Sequence, residues 1–153
     1  MSVALVFEKI TGFWEGEQRL WLSPNQPEQV SHTTATIGLE ARGQIVAIHY
    51  QWIFEKKPQE GLLLLGQSDK PNGVHTVWVD SWHMQDRIMN CEGFELPDCG
   101  ISVQGFYSVP AGPEWGWRIV VVPEDKDSLD LIMYNVTPEG EEELAVEAHF
   151  RPR

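Results

Sequence analysis

Apolar and polar residues alternate along most of the chain in runs of about 7–13 residues rich in Val, Ile, Thr, Tyr and Trp. Turn signals separate the runs: Arg42-Gly43, Lys57-Pro58, Pro71-Asn72-Gly73, Gln85-Asp86, Pro97-Asp98, Pro110 to Pro113, Asp125 to Asp127 and Glu139-Gly140. Alternation punctuated this way predicts antiparallel strands joined by short hairpins. The one helical piece expected is a single turn near Val6 to Thr11. No linker, repeat or shift in composition divides the chain, so residues 1–153 are expected to form a single domain. About nine or ten strands in so small a domain must stack as two sheets or close on themselves. Closure removes exposed edges and suits consecutive hairpins, which makes the expected class all-β, a closed antiparallel up-and-down barrel.

Turn positions assign side chains to faces. A loop at Arg42-Gly43 sets Ala35, Ile37 and Leu39 opposite Tyr50, Ile48 and Val46, and the same face runs on to Trp52 and Phe54. The opposite face carries His32, Thr34, Thr36, Glu40, His49 and Gln51. Strict alternation turns the apolar set inward. A loop at Glu139-Gly140 likewise sets Leu129, Leu131, Met133 and Asn135 against Phe150, Ala148, Val146 and Leu144, with His149 beside Asp130 outside.

Residues 78–89, WVDSWHMQDRIM, are less clear, because both faces mix apolar and polar groups. A loop at Gln85-Asp86 pairs Trp82 with Met89, Asp80 with Cys91 and Trp78 with Gly93. Gly93 leaves room for an indole, which favours the tryptophan face inside and puts Asp80 in the interior. A buried carboxylate needs a partner or hydrogen bonds. Asp80, Ser81 and His83 are the residue types of a hydrolase triad, but on a strand Asp80 points away from the other two. Ser81 and His83 would then stand two residue rises apart, roughly 6.5 Å, too far for a nucleophile and its base. In PAGPEWGWRIVVV a loop over residues 110–114 pairs Tyr107 with Trp117, Gly105 with Ile119 and Val103 with Val121. Arg118 then falls outside opposite Phe106; a one-residue change in the loop would turn it inward towards Asp80.

Composition narrows the role. The net charge of -12, from 11 basic and 23 acidic residues, argues against nucleic-acid and membrane-surface partners. The N-terminus has no secretory pattern, and two cysteines, Cys91 and Cys99, are too few for a disulfide scaffold, so a cytoplasmic chain with free thiols is expected. The five histidines show no metal-ligand spacing, and neither a phosphate loop nor a catalytic constellation is identifiable. A binding role is therefore expected ahead of an enzymatic one. Seven tryptophans suit either a packed lumen or the walls of a cavity.

GFWEGEQRLWLSP, residues 12–24, resembles the Gly-x-Trp-x-Gly start of calycin-type barrels such as lipocalins. That resemblance implies that Trp14 closes one end of the barrel, under a cation that Arg118 or Arg151 would supply. WVDSWHM, EWGWR and MYNVTPEGEEELAVEAHFR look like a lipocalin-like family catalogued as a domain of unknown function. By analogy this implies a lumen for a small apolar or aromatic molecule. Tyr50, Trp52, Trp78, Trp82, Tyr107, Trp117 and Met133 would form its walls, and Asp80 or Asn135 its polar handle. The same N-terminal motif is similar to that of nitrobindins, which bind haem through a histidine near the C-terminus; His149 would be that ligand, although hairpin parity sets it outside. Any other cofactor is left open. A barrel filled by its own tryptophans, serving a structural or interaction role, is the alternative, and an apolar outer patch would allow a homodimer.

Overall fold

The structure, a computed structural model, describes residues 2–153. A short helix, α1 (Val3–Phe7), and a 3-10 turn (Glu8–Ile10) precede ten strands. These are β1 (Gly12–Leu20), β2 (Gln29–Glu40), β3 (Ile45–Phe54), β4 (Lys57–Gln67), β5 (Gly73–Asp80), β6 (Met89–Glu95), β7 (Ile101–Tyr107), β8 (Trp115–Glu124), β9 (Ser128–Val136) and β10 (Glu142–Pro152). Every strand pairs antiparallel with its sequence neighbours, and β1 also pairs with β10, which closes the barrel. Closure leaves no open edge for another chain to extend. This is the up-and-down barrel that the alternation predicts.

Alternation survives as alternating burial. In β3, Val46, Ile48, Tyr50 and Trp52 point into the lumen while His49 and Gln51 face solvent; in β2, Ala35 and Ile37 do the same. Each large apolar side chain withdrawn from water contributes about 1.5–3 kcal/mol. The half of the lumen below the open end is filled by such residues, among them Leu65, Ile101, Ile119, Leu131 and Met133.

One end is plugged. Ser2 caps α1, its Oγ accepting the Leu5 N–H, and Val3, Ala4, Phe7 and Ile10 are buried against the strands. Trp14, at the start of β1, is buried there and its Nε1–H donates to the Ile10 carbonyl at 2.8 Å. The cation expected over Trp14 is absent from this geometry. Arg118 lies outside, bound to Glu142 and Ser102 with its guanidinium 4.5 Å from the Tyr134 ring centre. Arg151 is exposed, and its neighbour Phe150 takes the inward position. The indole N–H is satisfied by backbone, so the plug needs no arginine. Phe106 is likewise not the partner of Arg118, because the ladder sets Gln104 opposite it.

Registers match the turn arithmetic at the β2–β3 hairpin, where Ala35 faces Tyr50 and Ile37 faces Ile48, and along most of β9–β10, where Leu129 faces Phe150, Leu131 faces Ala148 and Met133 faces Val146. Elsewhere they slip. The third hairpin turns at Glu55-Lys56, both with positive φ, and Lys57-Pro58 instead opens β4. In β7–β8, Gly105 pairs with Trp117 and Val103 with Ile119, a two-residue shift that keeps the faces and moves Tyr107 opposite Trp115. In β10 the ladder breaks between Leu144 and Val146, so Asn135 faces Glu143 instead of Leu144. Ala145 is the extra residue, buried next to buried Val146, and its carbonyl accepts the Trp21 N–H at 2.9 Å. A bulge of this kind is invisible to arithmetic that assumes an unbroken ladder.

Cys91 and Cys99 are both free. Burial pushes the Cys91 thiol up to about 12, which removes its thiolate at physiological pH. A thiol-reactive disulfide reagent should therefore label Cys99 in the native protein and reach Cys91 only on unfolding. Equal native rates for the two thiols would contradict the assigned register of β6.

Candidate functional site

Strand β5 ends at Asp80 because its own side chain ends it. One carboxylate oxygen, Oδ1, accepts the backbone N–H groups of Trp82 and His83, each at 2.9 Å, while the Asp80 carbonyl accepts from Met84 and Gln85. Aspartate binding backbone two and three residues on is an established turn former. The connection from β5 to β6 is thus an eight-residue segment, 81–88, and the two-residue turn expected at Gln85-Asp86 does not form. The register moves accordingly: Trp78 faces Met89, Thr76 faces Cys91 and Val74 faces Gly93. The tryptophan face still points inward, since the shift is an even number of residues.

The turn also overturns the separation of Asp80 from His83. No longer on a strand, His83 folds back until Nδ1 lies 3.2 Å from Asp80 Oδ1. The contact falls short of a well-aligned hydrogen bond, and Nδ1 has no other partner. Ser81 does point away, donating to Gln59 Oε1 at 2.7 Å and accepting the Glu60 N–H at 3.0 Å. A serine-based triad has no geometry here.

The other carboxylate oxygen, Oδ2, accepts the Tyr50 hydroxyl at 2.6 Å and Trp52 Nε1–H at 3.2 Å, and the Tyr50 oxygen in turn accepts Trp78 Nε1–H at 2.9 Å. Gly61 makes this possible: a Cβ there would meet the Tyr50 ring at 2.2 Å. Burial is the largest influence on Asp80 and raises its pKa. The side chain, charge and backbone N–H of His83, with the Tyr50 hydroxyl, outweigh it and hold the carboxyl below its ordinary 3.8. Burial, followed by the Asp80 charge, pushes Tyr50 well above 10, so the phenol stays a donor.

Around this carboxylate the rings pack into an aromatic floor. Trp78 and Trp117 stack with centres 5.2 Å apart and planes within 9°. The His83 ring lies 5.3 Å from Trp117, 5.7 Å from Trp78, 5.6 Å from Trp52 and 4.7 Å from Trp82. Phe54 and Trp82 extend the cluster at 4.8 Å. Each such aromatic pair adds about 0.5–1.5 kcal/mol beyond area burial.

Over the floor, at the end opposite α1, opens a cavity of about 950 Å3. Of the residues expected to form its walls, Trp78, Trp82, Tyr107, Trp117 and Asn135 line it. Tyr50, Trp52 and Asp80 do not line it and are buried within the ring cluster, and Met133 is buried in the packed lumen. The Tyr107 hydroxyl donates to Asn135 Oδ1, so these two satisfy each other. Trp117 is only 5% exposed, yet its Nε1–H has no partner. The sequence reading missed Trp21, Lys57 and Arg87, all of which line the cavity from loops or a strand end.

His149 stands outside. Its Nδ1 lies 2.6 Å from Asp130 and its Nε2 3.0 Å from Glu147. Both ring nitrogens are engaged by carboxylates on the outer wall, so this histidine does not fit an axial ligand for a haem in the lumen. The described residues hold no group of three His, Cys, Asp or Glu placed for a metal ion, and no helix is long and apolar enough to cross a membrane.

Fold and site together define an antiparallel barrel with a plugged end and an aromatic-floored cavity at the other. The chain belongs to the family described as "Protein of unknown function (DUF1579)", which it matches over residues 5–152. Comparison with curated proteins gave no match.

Two substitutions test the geometry. Asp80→Ala strands four donors and should cost about 3–5 kcal/mol at neutral pH. Because the folded-state pKa of Asp80 is depressed, the advantage of Asp80 over Asn is fully present above its unfolded value and lost as pH falls through the folded one. The stability gap to Asp80→Asn should hold above about pH 5 and close below roughly pH 4 in urea titrations; a gap that widens in acid would contradict the assignment. Outside, the Asp130 contact is the largest influence on His149 and raises its pKa; burial, next in size, opposes it, and Glu147 adds to the rise. Its stabilisation should be present below the unfolded histidine value and fade as pH rises through the folded one. Asp130→Asn should lower the His149 midpoint in an NMR titration.

Proposed function

We propose that the protein binds a small, largely aromatic or apolar molecule in the cavity at the open end of the barrel. The observation that carries this reading is the Trp78–Trp117 floor with an unpartnered, buried Trp117 Nε1–H facing no protein acceptor beneath a cavity of about 950 Å3. Sites for small molecules combine apolar and aromatic walls with few polar groups, in volumes of about 300–1,000 Å3. Buried tryptophans usually find a partner for the indole N–H; Trp14, Trp52 and Trp78 have theirs.

The lipocalin-like resemblance of the N-terminal motif supports the same reading, with the site confined to the mouth because side chains fill the lumen below. That filling favours a second reading, a barrel with a structural or interaction role and no ligand. A haem protein in the nitrobindin manner is not proposed, since His149 lies outside. Free Cys91 and Cys99 support a reducing compartment such as the cytoplasm. The charge of -12 supports a small-molecule partner over nucleic acid or an anionic membrane.

Tryptophan fluorescence is the direct test. Fused-ring aromatics should quench emission saturably in the micromolar range, and Trp117→Ala, Trp78→Ala or filling the mouth with Tyr107→Trp should weaken the effect. Native mass spectrometry of freshly purified protein should show a retained adduct. Linear, unsaturable quenching by every compound, with a bare mass, would favour the ligand-free reading.

A further inference from the structure

Beside the main cavity, at the same end of the barrel, lies a second hollow of about 390 Å3 with a different chemistry. The half-buried rings of Trp21, Tyr107 and Trp115 line it, and its one charged group is Glu143. The two volumes meet at Trp21, Leu22, Tyr107 and Asn135, but Lys57 and Arg87 line only the larger one.

The strand ends set this combination. Trp115 pairs with Tyr107 across β7 and β8, and Glu143 pairs with Asn135 across β9 and β10. Asn135 accepts the Tyr107 hydroxyl, which fixes that ring by its edge. The Trp21 backbone N–H, bound to the Ala145 carbonyl at the β10 bulge, anchors the third ring beside them. Among the described residues none of the three rings packs against another aromatic ring.

Glu143 forms no ion pair among the described residues, since the neighbouring Arg118 is taken by Glu142. Its charge reaches the phenol: burial first, and then Glu143, raise Tyr107 above its ordinary value of 10. A carboxylate among aromatic rings attracts a cation by its own charge and by the negative faces of the rings. A bare metal ion finds too few oxygen or nitrogen ligands in such a hollow. An alkylated ammonium needs none, because its methyl groups pack on apolar walls.

We infer that the hollow is a site for a small organic ammonium ion, its alkylated nitrogen against Trp21, Tyr107 and Trp115 and its charge met by Glu143. This goes beyond the aromatic ligand of the main cavity, for it concerns another hollow and another charge. The cation is a free molecule and not a lipid headgroup, because a chain of net charge -12 is repelled by anionic membrane surfaces.

NMR titration with choline, and with the uncharged alcohol in which a tert-butyl group replaces trimethylammonium, tests the site. Choline should bind at least about fivefold tighter than the alcohol at low salt, and added salt should narrow the gap. The Trp21 and Trp115 indole N–H signals should move, and that of Trp14, buried in the plug, should stay. Glu143→Gln and Trp115→Leu, neither of them in the packed core, should each cut the preference to about twofold or less, with thermal melts confirming the fold. Equal binding of the two compounds, binding of neither, or a preference unchanged in both variants would overturn the inference. So would co-flotation with phosphatidylcholine vesicles that choline fails to compete. Quenching by fused-ring aromatics reports on the main cavity and is unaffected by these outcomes.

Discussion

The buried carboxylate of Asp80 is the constraint around which the open half of this barrel is arranged. A charge enclosed in a lumen of indole rings is tolerable only when donors surround it. Tyr50 and Trp52 supply two from β3, reaching past Gly61 of the intervening β4, and Trp82 and His83 supply two more from backbone. Burial and hydrogen bonding pull its ionisation in opposite directions, and the balance falls on the side of the anion. Once ionised, the group fixes Tyr50, through it the Trp78 indole, and through Trp78 the stack with Trp117.

The same carboxylate divides the barrel into two functional halves. Below it, toward the plug formed by α1 and Trp14, the lumen is packed mostly with apolar side chains, and the buried Thr76 hydroxyl lies among them without a partner. Above it the strands give way to the 81–88 segment, which carries Trp82 and His83 over the opening and leaves space beyond them. A hairpin of two residues would have continued the ladder and put neither ring there. The cavity is therefore a consequence of where β5 stops, and Asp80 is what stops it.

The wall of the barrel was legible in the sequence and its mouth was not. Period-two alternation depends on local geometry, so the inward sets of β2, β3 and β9 follow from turn positions alone, as does the outward place of His149. Registers failed where a ladder is interrupted: at Ala145, an extra residue in β10, and at the wide β5–β6 connection. The first involves a contact remote in sequence, the Trp21 N–H on the Ala145 carbonyl, and the second a local one, the Asp80 carboxylate on the backbone ahead of it. One signal was available. Asp80 followed by Ser-Trp-His has an aspartate placed to bind the backbone ahead of it, and reading it as a turn former would have brought His83 to the carboxylate. No comparable signal marks Lys57 or Arg87, whose place on the rim depends on closure of the whole sheet.

The ionisation of Asp80 in the folded protein is the most direct test. Side-chain carbon NMR of the Asp80 carboxyl, followed as acid is added while the barrel remains folded, should give a midpoint below 3.8, the ordinary aspartate value. A midpoint above that value would mean that burial prevails, that the group is neutral at its core, and that the aromatic floor is held by something other than this anion.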